Sequence, residues 1–292
     1  MRHLVIGIGD LAHLDDGTSG LITGNEMIDE NKLISKNMGI LINDGIIEEV
    51  NNFLVIKKKY PLPKIYDYGK YLITAGFIEC HMHYPQTGII SSFGKRLIDW
   101  LNDYTFPEEK KFIDPKYASK IASLTLDLCL QNGTTTVSSF CTSSPTSVNK
   151  FFEEANKREM CVVGGKTCMD RNAPEYLLDT VNSSYDESKK LIEKWHKTNR
   201  LVYDISTCFA PTSSPEQLEC LGNLWSEYPD CIMQTHLSEQ LEEINWVKEL
   251  YPKVVSELEK LVERARKDLG DNLTGRIGEN RREPGFSNAV EN

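Results

Sequence analysis

His81-Met82-His83 places two imidazoles two residues apart, and along an extended segment that spacing turns both to the same side. Such a pair is suited to gripping one metal ion, and neutral imidazole favours zinc or iron(II). Further along, Gln234-Thr235-His236-Leu237-Ser238-Glu239 supplies a third imidazole and, three residues after it, a carboxylate. If a metal-activated hydroxide attacks an amidine-like ring carbon, negative charge develops on the ring nitrogen, and a carboxylic acid nearby can deliver a proton there. Glu239 is the candidate for that transfer. Ser238 with Gln240 or Glu242 also reads as a helix-start capping motif, and both readings of this stretch stay open.

The elements that must position these residues alternate. The apolar run Leu72–Ile78 reads as a first strand leading into Glu79-Cys80-His81. Helical spacing over 117–131 ends at Asn132-Gly133, and Thr134–Val137 begins a second strand. A helix near 146–158, a strand at 160–165, a helix over 186–197 and a strand at 201–207 follow. A helix near 214–227, opened by Ser214-Pro215, then precedes a fifth strand, 231–236. Parallel strands under helices build either a doubly wound sheet or a (β/α)₈ barrel, and both carry functional residues at strand C-terminal ends, where His81, His83 and His236 fall. Three further strands have no room, so an open or partial barrel is expected. Ahead of it, residues 1–70 alternate short β-rich runs with turns, including a hairpin at Asp44-Gly45. Behind it, a charged amphipathic helix is expected over 253–269 and disorder over 270–292.

Bulk properties narrow the partners. The 292 residues are 40% hydrophobic, enough for a sizeable core, and the net charge of −10 argues against nucleic acid or an acidic membrane surface. No apolar run approaches the roughly 20 residues of a membrane-spanning helix. Eight cysteines lie scattered without paired spacing and without a secretory leader before them, so reduced thiols and a cytoplasmic location are expected. Gly164-Gly165-Lys166 lacks the glycine spacing of a phosphate loop, and His196 beside Trp195 reads as packing.

Several motifs in order carry a family resemblance. Gly76–His83 resembles the first-strand signature of the amidohydrolase superfamily, with Ala75 where proline is usual. His83-Tyr84-Pro85-Gln86, Leu97–Leu101 with Tyr104-Thr105-Phe106-Pro107-Glu108, and Asn132–Thr136 are similar to the guanine deaminases. So are Gly165-Lys166 with Met169–Pro174, Phe209-Ala210-Pro211-Thr212, and Thr235–Glu239 followed by Trp246–Pro252, so that the likeness runs from about 38 to 252. The resemblance implies a TIM-type (β/α) barrel of the metal-dependent hydrolase type with an N-terminal β-sandwich segment. It also implies one zinc ion, hydrolysis of guanine to xanthine and ammonia, and a homodimer. Under it His81, His83 and His236 are zinc ligands and Glu239 is the proton shuttle. Gln86 contacts the substrate amide and Phe209 lies against the purine, with His83, Cys208, His236 and Glu239 also at the substrate.

Two departures stand beside it. Where the resemblance implies an arginine donating to the purine carbonyl, the chain has Cys208, which cannot supply that donor fork. The implied sixth-strand histidine and eighth-strand aspartate have no counterpart, because no histidine follows His236; the expectation is a chain truncated after the fifth barrel strand. Three readings follow: a guanine deaminase, an impaired fragment or pseudoenzyme that binds zinc or a full-length subunit, and an amidohydrolase acting on another ring amide or aminopyrimidine.

Overall fold

The computed structural model describes residues 2–12, 34–60, 64–69, 71–94 and 96–253. Contacts divide the chain into two units, the first ending at Ile78 and the second beginning at Glu79. The expectations for a charged helix and a disordered tail beyond residue 253 lie outside the described residues.

The first unit is a four-stranded sheet in the order β3-β2-β1-β4, built from β1 (Arg2–Ala12), β2 (Ile34–Asn43), β3 (Ile46–Asn52) and β4 (Lys64–Asp67). The expected hairpin joins β2 to β3. Asp44 (φ 48°) and Gly45 (φ 81°) both occupy the left-handed region, as a two-residue hairpin turn whose twist matches its strands requires. A helix not anticipated from the sequence, Phe53–Lys59, starts where the Asn52 side chain accepts from the Leu54 N–H. Its Ile56 is buried with Leu41 of β2.

The second unit holds the alternation read from the sequence. A sheet ordered β10-β9-β7-β6-β5 is formed by β5 (Phe77–His83), β6 (Thr134–Phe140), β7 (Cys161–Gly165), β9 (Leu201–Phe209) and β10 (Ile232–His236), and the short β8 (Thr167–Cys168) pairs with β9. The pairs β6–β7, β7–β9 and β9–β10 are all parallel. With the intervening helices Pro115–Gln131, Pro145–Lys157, Val181–Trp195 and Pro215–Glu227 this is a partial (β/α) barrel. Each helix begins at a residue whose side-chain oxygen takes a backbone N–H of the first turn: Asp114, Ser144, Thr180 and Ser214. Proline follows three of them, where its missing N–H costs nothing.

The first strand begins later than expected. Leu72–Ala75 lie outside it, and β5 runs through His83, so both histidines sit within the strand's last three residues. The core between sheet and helices gathers Phe151, Phe152, Val162, Tyr203, Leu221 and Leu224, all fully buried. One glycine is dictated by strand approach: a Cβ on Gly165 would sit 1.8 Å from the Asp204 carbonyl oxygen. Any other residue there would force β7 away from β9.

Candidate metal and substrate site

The end of β5 and the end of β10 bring three imidazoles together. The ligating nitrogens of His81, His83 and His236 lie within 4.8 Å of one another. His83 Nε2 stands 3.0 Å from His236 Nε2, and these two rings stack at 14° with centroids 5.0 Å apart. His81 meets both edge-on. Phe140, the last residue of β6, stacks on His83 and on His236 at 4.9 and 4.3 Å and clamps the pair.

The donor set fits a divalent cation. His236 Nδ1 lies 2.6 Å from the Cys208 carbonyl oxygen, which only accepts, so the proton sits on Nδ1 and the Nε2 lone pair faces the other rings. Metal-bound histidines are oriented by this kind of contact to a backbone carbonyl. Burial, with His236 and His81 close by, holds the His83 imidazole down to about 3, which favours the uncharged form that can ligate a metal. Three imidazoles converging without a carboxylate between them offer a set of nitrogen donors that a divalent cation would fill.

The histidines open on a cavity of about 230 Å³, lined also by Gln86, Trp100, Leu101, Thr105, Phe106, Glu109, Thr167, Met169, Cys208, Phe209 and Glu239. Small-molecule sites are of this kind, concave and mainly apolar with a few polar groups. Every residue singled out from the sequence therefore reaches one place: His81, His83 and His236 at its floor, with Gln86, Cys208, Phe209 and Glu239 around it. Phe209 is buried and braced edge-on by Trp246 at 6.4 Å. Gln86 follows β5 in the helical turn Tyr84–Ile89.

The capping alternative resolves onto another residue. Glu243 accepts from the backbone N–H groups of Ser238 and Glu239 at 2.9 and 2.7 Å, and the helix Leu241–Leu250 has no side-chain bond from its N-cap Gln240. The Glu239 carboxylate is thus spared from capping, and it is exposed to the cavity side of the loop.

Sequence reasoning missed Phe140, Thr105 and Glu109. Thr105 and Glu109 belong to a helical stretch, Leu97–Ile113, whose middle turn, Leu101–Thr105, is π-helical. Such turns are rare and frequent at functional sites, but no residue pattern announces them. The motif Tyr104–Glu108 was the available signal for this wall, although it carried no role. A second grouping, His196, Asp230 and Cys231, has ligand-like spacing. There Lys197 already pairs with Asp230, and the Tyr203 N–H donates to His196 Nδ1, so it is an ion pair with a packing histidine.

Residues 72–273 match the model of the amidohydrolase family. Guanine deaminase of Escherichia coli (strain K12) is 46% identical over 214 residues, which are 73% of this chain and 49% of that protein. A probable guanine deaminase of Deinococcus radiodurans is 32% identical over 73% of this chain and 48% of its own length. Among solved structures, E. coli guanine deaminase superposes with a TM-score of 0.79 at 40% identity, covering 86% of this chain and 57% of that one. Guanine deaminase from C. acetobutylicum, solved with guanine in its active site, gives 0.74 at 31% identity over 87% and 57%.

A partial barrel with a histidine cluster at its strand ends, together with the family match over most of the sequence, defines the class: the chain belongs to the amidohydrolase family. The particular proteins it is similar to both in sequence and in backbone are guanine deaminases, and it spans about half the length of the curated relatives it matches.

Proposed function

We propose that this chain carries the substrate and metal site of a guanine deaminase, hydrolysing guanine to xanthine and ammonia with one zinc ion. The observation that carries the reading is the convergence of His81, His83 and His236 with Gln86, Phe209 and Glu239 on one cavity. Similarity to guanine deaminases in sequence and in structure supports it over the two other readings.

His81, His83 and His236 would hold the zinc, which when bound lowers the pKa of water and makes it nucleophilic at neutral pH. His236 is kept in the binding tautomer by the Cys208 carbonyl, and Phe140 fixes the plane of two of the rings. Phe209 offers a flat, buried face for the purine, and Trp246 holds that face in place. Gln86 can donate its side-chain N–H to the carbonyl oxygen of the ring amide, which has two lone pairs. As the hydroxyl adds to the amino-bearing carbon, Glu239 takes the water's proton and passes it to the adjacent ring nitrogen. The amino group then receives the proton of the added hydroxyl and leaves as ammonia as that oxygen becomes the carbonyl of xanthine.

A homodimer and a cytoplasmic setting belong to the same reading; among the described residues no helix is long and apolar enough to cross a membrane. The test is conversion of guanine to xanthine by the zinc-supplemented chain, followed by ultraviolet absorbance beside the Glu239→Gln variant. Turnover in the first and at least a hundredfold loss in the second support the reading. Equal rates in the two would remove Glu239 from the chemistry.

A further inference from the structure

The wall of the cavity formed by Leu97–Ile113 carries a polar group that the reading above leaves unused. Glu109 is buried, 7% exposed, and lines the cavity, yet its carboxyl makes no hydrogen bond or ion pair among the described residues. One helical turn earlier Thr105 lines the same wall, 2% exposed, with a hydroxyl that also lacks a partner among the described residues. Buried polar groups are almost always bonded, so two orphans one turn apart beside a cavity point to a ligand that completes them.

The chemistry of that ligand follows from what faces Glu109. Among the described residues no lysine or arginine lines the cavity. Cys208, on the neighbouring wall, is a buried thiol and brings no cation to Glu109. A carboxyl without a cation in such a place is held neutral, and burial does push Glu109 up to about 8. A neutral carboxylic acid is donor and acceptor side by side. Its complement is a ring carbonyl next to a ring N–H, the edge of a lactam: the acid O–H donates to the ring carbonyl while its C=O accepts from the ring N–H.

We propose that Glu109, assisted by Thr105, recognises the lactam edge of the bound heterocycle and so sets the preference for an oxopurine. This rests on the guanine reading. It assigns to Glu109 a two-point contact at a wall where Cys208 brings no charged donor.

The test is binding to the zinc-loaded chain of guanine and of 2-aminopurine, which keeps the amino group of guanine and lacks its lactam. Displacement of fluorescent 2-aminopurine by guanine reports both. The wild type should prefer guanine. Glu109→Leu should lose about tenfold or more in guanine affinity with 2-aminopurine unchanged, since each well-made bond in a buried site contributes that order. Glu109→Gln presents the same donor and acceptor pair, so it should keep the wild-type preference to within about threefold. A merely structural role for Glu109 would leave the ratio of the two affinities unmoved in Glu109→Leu, and that outcome overturns the proposal. So does a Glu109→Gln variant as impaired as Glu109→Leu. A wild type that binds neither purine overturns the guanine reading and this inference with it, whereas binding of both at a ratio indifferent to Glu109 overturns the inference alone.

Discussion

His236 Nδ1 donates to the backbone carbonyl of Cys208 across 2.6 Å, so the residue that departs from the family pattern orients a candidate metal ligand through its main chain alone. The side chain at 208 is therefore free to differ without disturbing the tautomer of His236. Cys208→Ser should retain metal content equal to wild type, measured by elemental analysis, while its purine affinity changes. A drop in metal would show that the thiol itself supports the ligand.

His236→Ala removes both the lone pair and the group that Phe140 and His83 stack upon. Metal affinity should fall by at least 100-fold. Glu239→Gln, changed at a loop carboxylate outside the three-histidine grouping, should keep metal and lose turnover by about 10² to 10⁴. Equal loss of metal in the two variants contradicts the division of roles.

Asp204 on β9 is fully buried, accepts from Gln234 Nε2 at 2.6 Å and is bonded to the Ser206 hydroxyl. Burial raises its carboxyl from 3.8 to about 7. The sign follows from proton binding: the folded chain holds a proton that the unfolded chain has released, so the contribution of Asp204 is present at low pH and is lost as pH rises from about 4 to about 7. The loss is at most about 4 kcal/mol. Asp204→Asn cannot ionise, so its thermal unfolding midpoint should exceed that of wild type at pH 8 and converge with it near pH 4. Parallel curves at both pH values would refute the assignment.

Lys166 is completely buried, with its ammonium 2.5 Å from Asp179 and 3.5 Å from the half-exposed Glu187. Removing the close partner leaves a charge without adequate compensation. Asp179→Ala should cost about 3 to 5 kcal/mol in denaturant unfolding, less whatever Glu187 recovers. The double change Lys166→Met with Asp179→Ala should restore much of it, because no buried charge remains. A double variant as unstable as the single one would mean that shape, not charge, dominates there.

The alternation of the second unit was legible because periodicity and caps agree. Pro115, Pro145 and Pro215 stand just inside helices that start at Asp114, Ser144 and Ser214, and the intervening apolar runs are the strands. The first strand was placed several residues early because Leu72-Ile73 are as strand-like as Phe77-Ile78, and composition cannot say which run pairs with β6. Phe53–Lys59 escaped notice since a single helical turn or two among β-branched residues leaves little period to detect.

In the site, the histidines and Glu239 were visible because their types are scarce and their spacing chemical. Phe140 was not, since an aromatic closing an apolar strand looks like core until three rings are found stacked. Glu109 was hidden in a run of charges, Glu108-Glu109-Lys110-Lys111, that reads as a solvated helix face. Only the fold separates Glu108, paired with Lys111 and bonded to Tyr117, from Glu109, turned toward the cavity.

The measurement that bears most directly on the central claim is zinc stoichiometry and ammonia release from guanine on the same preparation, with His236→Ala alongside. About one zinc per chain, ammonia formed in step with xanthine, and loss of both in the variant are the predicted results. A wild-type chain that holds no zinc above the level of His236→Ala would contradict the account.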